Sequence, residues 1–121
     1  MVRIALIGCG AHSRAQHQPA LREFAARRPG EIELAAVCDL RLDLAEKAAA
    51  DCGFRRAYAD IEAMLETERL DGCIAVTPIP ATAAVARRIV EAGIPLLLEK
   101  PPGATLEEAR ALRALAEQRR A

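Results

Sequence analysis

The sequence predicts an α/β domain: a doubly wound parallel sheet of about five strands in the order 3-2-1-4-5. Three observations carry this. Five short apolar runs alternate with segments of helical period along the 121 residues, which is the strand–helix repeat of such a sheet. The runs are apolar almost throughout rather than at every second position, as strands covered on both faces must be. The first run ends in Gly8-Cys9-Gly10, and the small residue Ser13 follows where a helix can begin.

Each element has its own signal. Val2 to Ile7 forms strand one. Ser13 to about Arg28 has helical period and is closed by Pro29-Gly30, while Pro19, past the first turn, predicts a kink or a delayed start. Strand two, Ile32 to Cys38, ends at Asp39. A helix from Leu42 to Cys52 stops at Gly53, a good left-handed cap. Phe54 to Tyr58 is a weak third strand, and Asp60 can cap a short helix through Glu66. Strand four, Gly72 to Val76, runs into Thr77-Pro78, and a helix covers Pro80 to Ala92 with Gly93 beyond it. Strand five, Ile94 to Leu98, runs into Glu99-Lys100-Pro101. Thr105-Leu106-Glu107-Glu108 opens the last helix as a capping box.

Composition narrows the function classes. Seventeen basic residues balance seventeen acidic ones, so no net field draws the chain to nucleic acid or to an anionic membrane. The apolar runs are too short to span a bilayer and the amino terminus has no signal-peptide pattern, so a cytoplasmic location is expected. Cys9, Cys38, Cys52 and Cys73 lie far apart with no C-x-x-C pair; buried thiols in a reducing compartment are expected, and no metal site. If strands one and two are neighbours, Cys9 and Cys38 share one sheet end and an adventitious oxidation is possible there.

The candidate chemistry sits at the carboxyl ends of the strands. Gly8, Cys9, Gly10, Ala11, His12 and Ser13 form the layout of a dinucleotide-binding turn, with Ser13 in place of the last glycine. Gly8 lets the chain leave the strand sharply, Gly10 lets a pyrophosphate approach the backbone, and the helix start offers free N–H groups. Asp39 falls beside this turn, where its carboxylate can accept hydrogen bonds from ribose hydroxyls. A carboxylate there repels a 2′-phosphate and favours NAD, but Arg41 can pair with that phosphate, so NADP stays open. Thr77 and Pro78 face the same crevice. So do Glu99 and Lys100, whose ammonium can hold a substrate hydroxyl or help move its proton; a strand-end ion pair between them is the plainer alternative. His12 and His17 have no partner at nucleophile or metal spacing, and His17 is given a structural role.

These residues, taken in order, resemble the amino-terminal domain of the glucose–fructose oxidoreductase/inositol dehydrogenase/MocA family of NAD(P)-dependent oxidoreductases. The resemblance rests on Gly8-Cys9-Gly10, His17-Gln18-Pro19-Ala20-Leu21, Ala36-Val37-Cys38-Asp39, Thr77-Pro78, Ala92-Gly93 and, most tellingly, Glu99-Lys100-Pro101. It implies a Rossmann domain over residues 1–121, with the glycine turn on the pyrophosphate, Asp39 on the adenosine ribose and Thr77-Pro78 on the nicotinamide side. It further implies Lys100 as the catalytic residue near the transferred hydride, a Lys100–Pro101 bond that is often cis, and a sugar, polyol or related carbonyl substrate. Two departures stand out. Thr82 occupies a position where the family often has His, and neither the family's second domain, with its catalytic His, nor the sixth strand that usually completes the first sheet has a counterpart in these residues. The chain alone is therefore expected to be catalytically incompetent. Strand five is then an open apolar edge, which predicts self-association. A non-catalytic nucleotide-binding or self-associating module is the competing reading.

Overall fold

A computed structural model describes residues 1–119. Five strands, β1 (Val2–Ile7), β2 (Ile32–Cys38), β3 (Arg56–Tyr58), β4 (Gly72–Ala75) and β5 (Leu96–Leu98), form one sheet in the order β3-β2-β1-β4-β5. Every neighbouring pair is parallel. The helices are α1 (Gln18–Arg27), α2 (Leu42–Cys52), α3 (Ile61–Thr67), α4 (Ile79–Glu91) and α5 (Leu106–Arg119). The expected topology is the observed one.

Why the strands are apolar throughout is visible in the core. Ala5 and Ile7 of β1 pack on one face with Met64 of α3 and Ile89 of α4. Leu6 packs on the other with Ala45 and Ala48 of α2. In β2 the pairing steps from Ile4↔Leu34 to Ala5↔Ala36, so Ala35 is an extra residue. This bulge shifts the side-chain phase by one and puts Leu34 and Val37 on the same face, a pairing that strict alternation forbids.

The differences from expectation have local causes. Pro19 splits the first helix: a π-helical turn spans Ser13–His17, and the N–H of Gln18 bonds the carbonyl of Ser13, five residues back. Pro19 has no N–H to bond residue 15 and its ring crowds that carbonyl, so a wider turn replaces the α register. At β5, Pro95 cannot donate and the N–H of Ile94 closes α4 on the carbonyl of Ile89 (3.3 Å), leaving three residues in the strand rather than five. Phe54 is buried but precedes β3.

Three of the punctuation signals hold. Asp60 caps α3, accepting from the N–H groups of Glu62 and Ala63. Gly53 ends α2 at φ 90°. Thr105 Oγ1 accepts the N–H of Glu108 at 3.1 Å, while Glu108 reaches back to the N–H of Ala104, one residue earlier than an ideal capping box.

The two ends of the sheet differ in kind. At the amino-terminal end, Arg3 binds Glu33 and Glu68, and its N–H meets Asp71, tying β1 to β2 and to the segment that enters β4. The carboxyl end carries the glycine turn and the loops that follow β2, β4 and β5. Among the described residues, no helix is long and apolar enough to cross a membrane.

Candidate functional site

The glycine turn leaves the end of β1. Gly8 has φ +102°, and a Cβ placed on it would lie 1.9 Å from the carbonyl oxygen of Val76. Its N–H bonds the carbonyl of Cys38 at 2.8 Å. Gly8 is thus held between β2 and β4, and neither its conformation nor its space admits a side chain. Gly10 is the opposite case: a Cβ there meets nothing within 4 Å. Nothing in the protein requires glycine there, and a side chain at this position would extend into open space.

Around Gly10 the turn is unevenly exposed. Gly10, Ala11 and His12 face solvent, whereas Cys9 and Ser13 are buried. The Cys9 thiol lies in the core, where burial pushes its pKa up to about 12. Ser13 Oγ is 3.3 Å from the Gln18 amide. Both side chains pack inward, and only backbone groups of these two residues can face a ligand. Cys38 is buried as well, its pKa pushed up to about 11 by desolvation, and all four cysteines are free.

Asp39 stands beside this turn. Its Oδ2 accepts the N–H of Cys9 at 2.8 Å and its Oδ1 accepts the N–H of Arg41 at 2.9 Å. The carboxylate therefore braces the turn from β2, and each oxygen retains a further lone pair. The Arg41 guanidinium turns away to Asp43 at 2.9 Å.

Across the crevice, Thr77 Oγ1 lies 3.0 Å from Thr82 Oγ1, and Thr82 also donates to the carbonyl of Pro78 at 3.2 Å. Thr82, only 3% exposed, locks the Thr77-Pro78 loop onto the first turn of α4. The sequence marks Thr82 only as a departure; its spacing of five from Thr77 is the signal for this contact.

Glu99 and Lys100 follow β5. The expected alternative of an ion pair between them is not formed. Glu99 Oε2 instead takes His17 Nε2 at 2.7 Å and His12 Nε2 at 3.1 Å, and its Oε1 accepts the N–H of Lys100 at 3.2 Å. Hydrogen bonds, first from His17 and then from His12, hold the Glu99 carboxyl below its ordinary pKa. Lys100 is exposed, and its peptide bond to Pro101 is cis. The two histidines thus do have a partner, contrary to the sequence expectation. In an α-helix, residues five apart diverge by about 140°; the π-helical turn brings them back onto one side.

Two concavities lie away from this edge. One of about 690 Å³ separates α1 from α2 beside Arg14, Arg22 and Lys47, and one of about 830 Å³ lies between α4 and α5. Neither includes the glycine turn, Asp39 or Lys100, and the convergence of polar groups at the carboxyl edge is the stronger guide.

Comparison with known proteins identifies the family. The chain is 34% identical over 114 residues to D-apiose dehydrogenase of Paraburkholderia graminis, covering 94% of this chain and 29% of that protein. It is 32% identical over 109 residues to D-glucoside 3-dehydrogenase of Escherichia coli, covering 90% and 30%. Among solved structures, the WlbA dehydrogenase of Chromobacterium violaceum, in complex with NADH and UDP-GlcNAcA, superposes with a TM-score of 0.86 at 28% identity, over 98% of this chain and 33% of that one. A 3-ketoreductase of Actinomadura kijaniata, in complex with NADP and TDP-benzene, gives 0.83 at 27% identity, over 98% and 34%. The chain thus spans about a third of the length of these relatives. The family described as oxidoreductases with an NAD-binding Rossmann fold matches residues 2–121, and the chain belongs to that family.

Proposed function

We propose that residues 1–121 form the cofactor-binding domain of an NAD(P)-dependent oxidoreductase acting on a sugar, polyol or related carbonyl compound, with the substrate domain in a separate part of the longer protein. The observation that carries this is Gly10, open to solvent where a helix starts, one residue from the N–H that Asp39 holds at 2.8 Å. A pyrophosphate fits that opening, where the first N–H groups of a helical segment lack intrahelical acceptors. The spare lone pairs of Asp39 are directed to the adenosine ribose, and the fixed Thr77-Pro78 loop to the nicotinamide. When bound, the nicotinamide accepts or supplies the hydride. Lys100, its ammonium clear of Glu99, is the proposed catalytic group that holds the substrate hydroxyl or exchanges its proton. NAD is the preferred ligand, since Asp39 repels a 2′-phosphate and Arg41 is paired with Asp43; NADP is the weaker one.

Calorimetry with NADH tests this. Binding at micromolar affinity or weaker is expected (about −8 kcal/mol at micromolar), and Gly10→Val should abolish it. A flat titration of the wild-type chain would refute the proposal. No steady reduction of NAD with a panel of polyols and sugars is expected, because much of a substrate pocket must come from outside these residues. Sustained turnover by a pure preparation would show that the site is complete.

A second reading, a self-associating module, is favoured by one observation. Among the described residues, β5 pairs only with β4 and exposes Leu97 to 63%, an apolar edge with unpaired backbone groups. Light scattering over a dilution series should reveal a dimer that Leu97→Lys disperses; a monomer at high concentration would dismiss it. A cytoplasmic site of action belongs to the main proposal, supported by four free thiols.

A further inference from the structure

The geometry points to a site for a borderline divalent transition cation, of the Zn²⁺ class, formed by His12 Nε2, His17 Nε2 and Glu99 Oε2 at the end of β5. The three ligand atoms lie within 4.8 Å of one another. Both imidazoles aim at the same carboxylate oxygen, at 3.1 and 2.7 Å. In a tetrahedral zinc site with bonds near 2.0–2.1 Å, neighbouring ligand atoms are about 3.3 Å apart. The His17–Glu99 pair must open by roughly half an ångström to reach that spacing, and the two imidazole nitrogens, within 4.8 Å of each other, must settle at it as the ion binds.

The donor set is chemically apt. Two neutral imidazoles and one carboxylate suit zinc and leave a fourth position for water. Each imidazole needs only to carry its proton on Nδ1 instead of Nε2, so neutral rings bind with no net proton release. The carboxylate is already oriented, since its other oxygen accepts the N–H of Lys100, the kind of outer bond that fixes a ligand's direction.

The backbone supports the site independently of the side chains. The π-helical turn places His12 and His17 on one side and is anchored by the buried Ser13. Glu99 is anchored by its N–H on the carbonyl of Ala75 at 3.0 Å. An entry path exists as well: the side chains of His12, Glu99 and His17 are 57%, 30% and 21% exposed. The site needs no nucleotide, so it stands or falls apart from the cofactor proposal.

The test is a competition titration of Zn²⁺ against a chromophoric chelator, using untagged chain without nucleotide, with histidine ring NMR shifts as a second readout. One Zn²⁺ per chain is expected at micromolar affinity, moving the ring signals of both histidines. His12→Ala, His17→Ala and Glu99→Gln should each weaken binding at least about tenfold. His12 is exposed, so its variant should unfold like wild type without metal, which separates lost ligation from lost folding. Cys52→Ser should change nothing, excluding the partly exposed thiol as a ligand. Absent binding, binding unchanged in either histidine variant, or loss in Cys52→Ser would overturn the assignment.

Discussion

Gly8→Ala is expected to destabilise the chain by about 3 kcal/mol or more, read as a fall in the urea midpoint at unchanged slope. Two causes add. The alanine must adopt φ +102°, and its Cβ must displace a backbone carbonyl that it would otherwise approach to 1.9 Å. Strained backbone costs about 1–3 kcal/mol and overpacking a similar amount. That carbonyl belongs to Val76, at the end of β4, so the strain falls on the pairing of β1 with β4 and cannot be absorbed by a side chain. Gly10→Ala is the matched contrast. Its Cβ meets nothing in the protein, so stability should stay within about 0.5 kcal/mol while NADH affinity falls. Equal destabilisation by both substitutions would contradict the division of labour between the two glycines.

Asp39→Ala should weaken NAD binding by about 10- to 100-fold, the effect of losing hydrogen bonds to a charged group worth about 1.5–3 kcal/mol. It should also shift preference toward NADP, since the repelling charge is gone. A stability cost comes with it: the N–H of Cys9, a wholly buried residue, loses its acceptor, at about 1–3 kcal/mol. Asp39→Asn separates the two effects, because its amide oxygen can still accept from Cys9 while the charge is removed. Calorimetry with NAD and NADP on all three proteins measures this. Wild type and Asp39→Ala binding NAD equally would remove Asp39 from the ribose.

Much of this could be read from the residues because local signals and global fold agree. Apolar runs bounded by glycine and proline place β1, β2 and β4 within about a residue, and the strand order follows from parallel crossovers. The misses arise where one residue's chemistry depends on another element. Ala35 is an unremarkable residue in an apolar run, and only pairing with β1 makes it a bulge. His12 and His17 carry no helical ligand spacing; Pro19 changes the turn beneath them and brings both to Glu99. Along the chain the nearest partner for Glu99 is Lys100, but the sheet brings the first turn and its two histidines closer. The sharp turn at Gly8 is legible in the sequence, but its approach to Val76, just past β4, is invisible along the chain.

Whether the carboxyl edge of this sheet holds a dinucleotide is decided by mapping backbone amide shifts as NADH is added to the isotope-labelled chain. The largest shifts are predicted at Gly8 to Ser13, around Asp39 and at Thr77, with little change in the α4–α5 groove. Shifts centred on that groove or on the cleft between α1 and α2, or none at all, would contradict it.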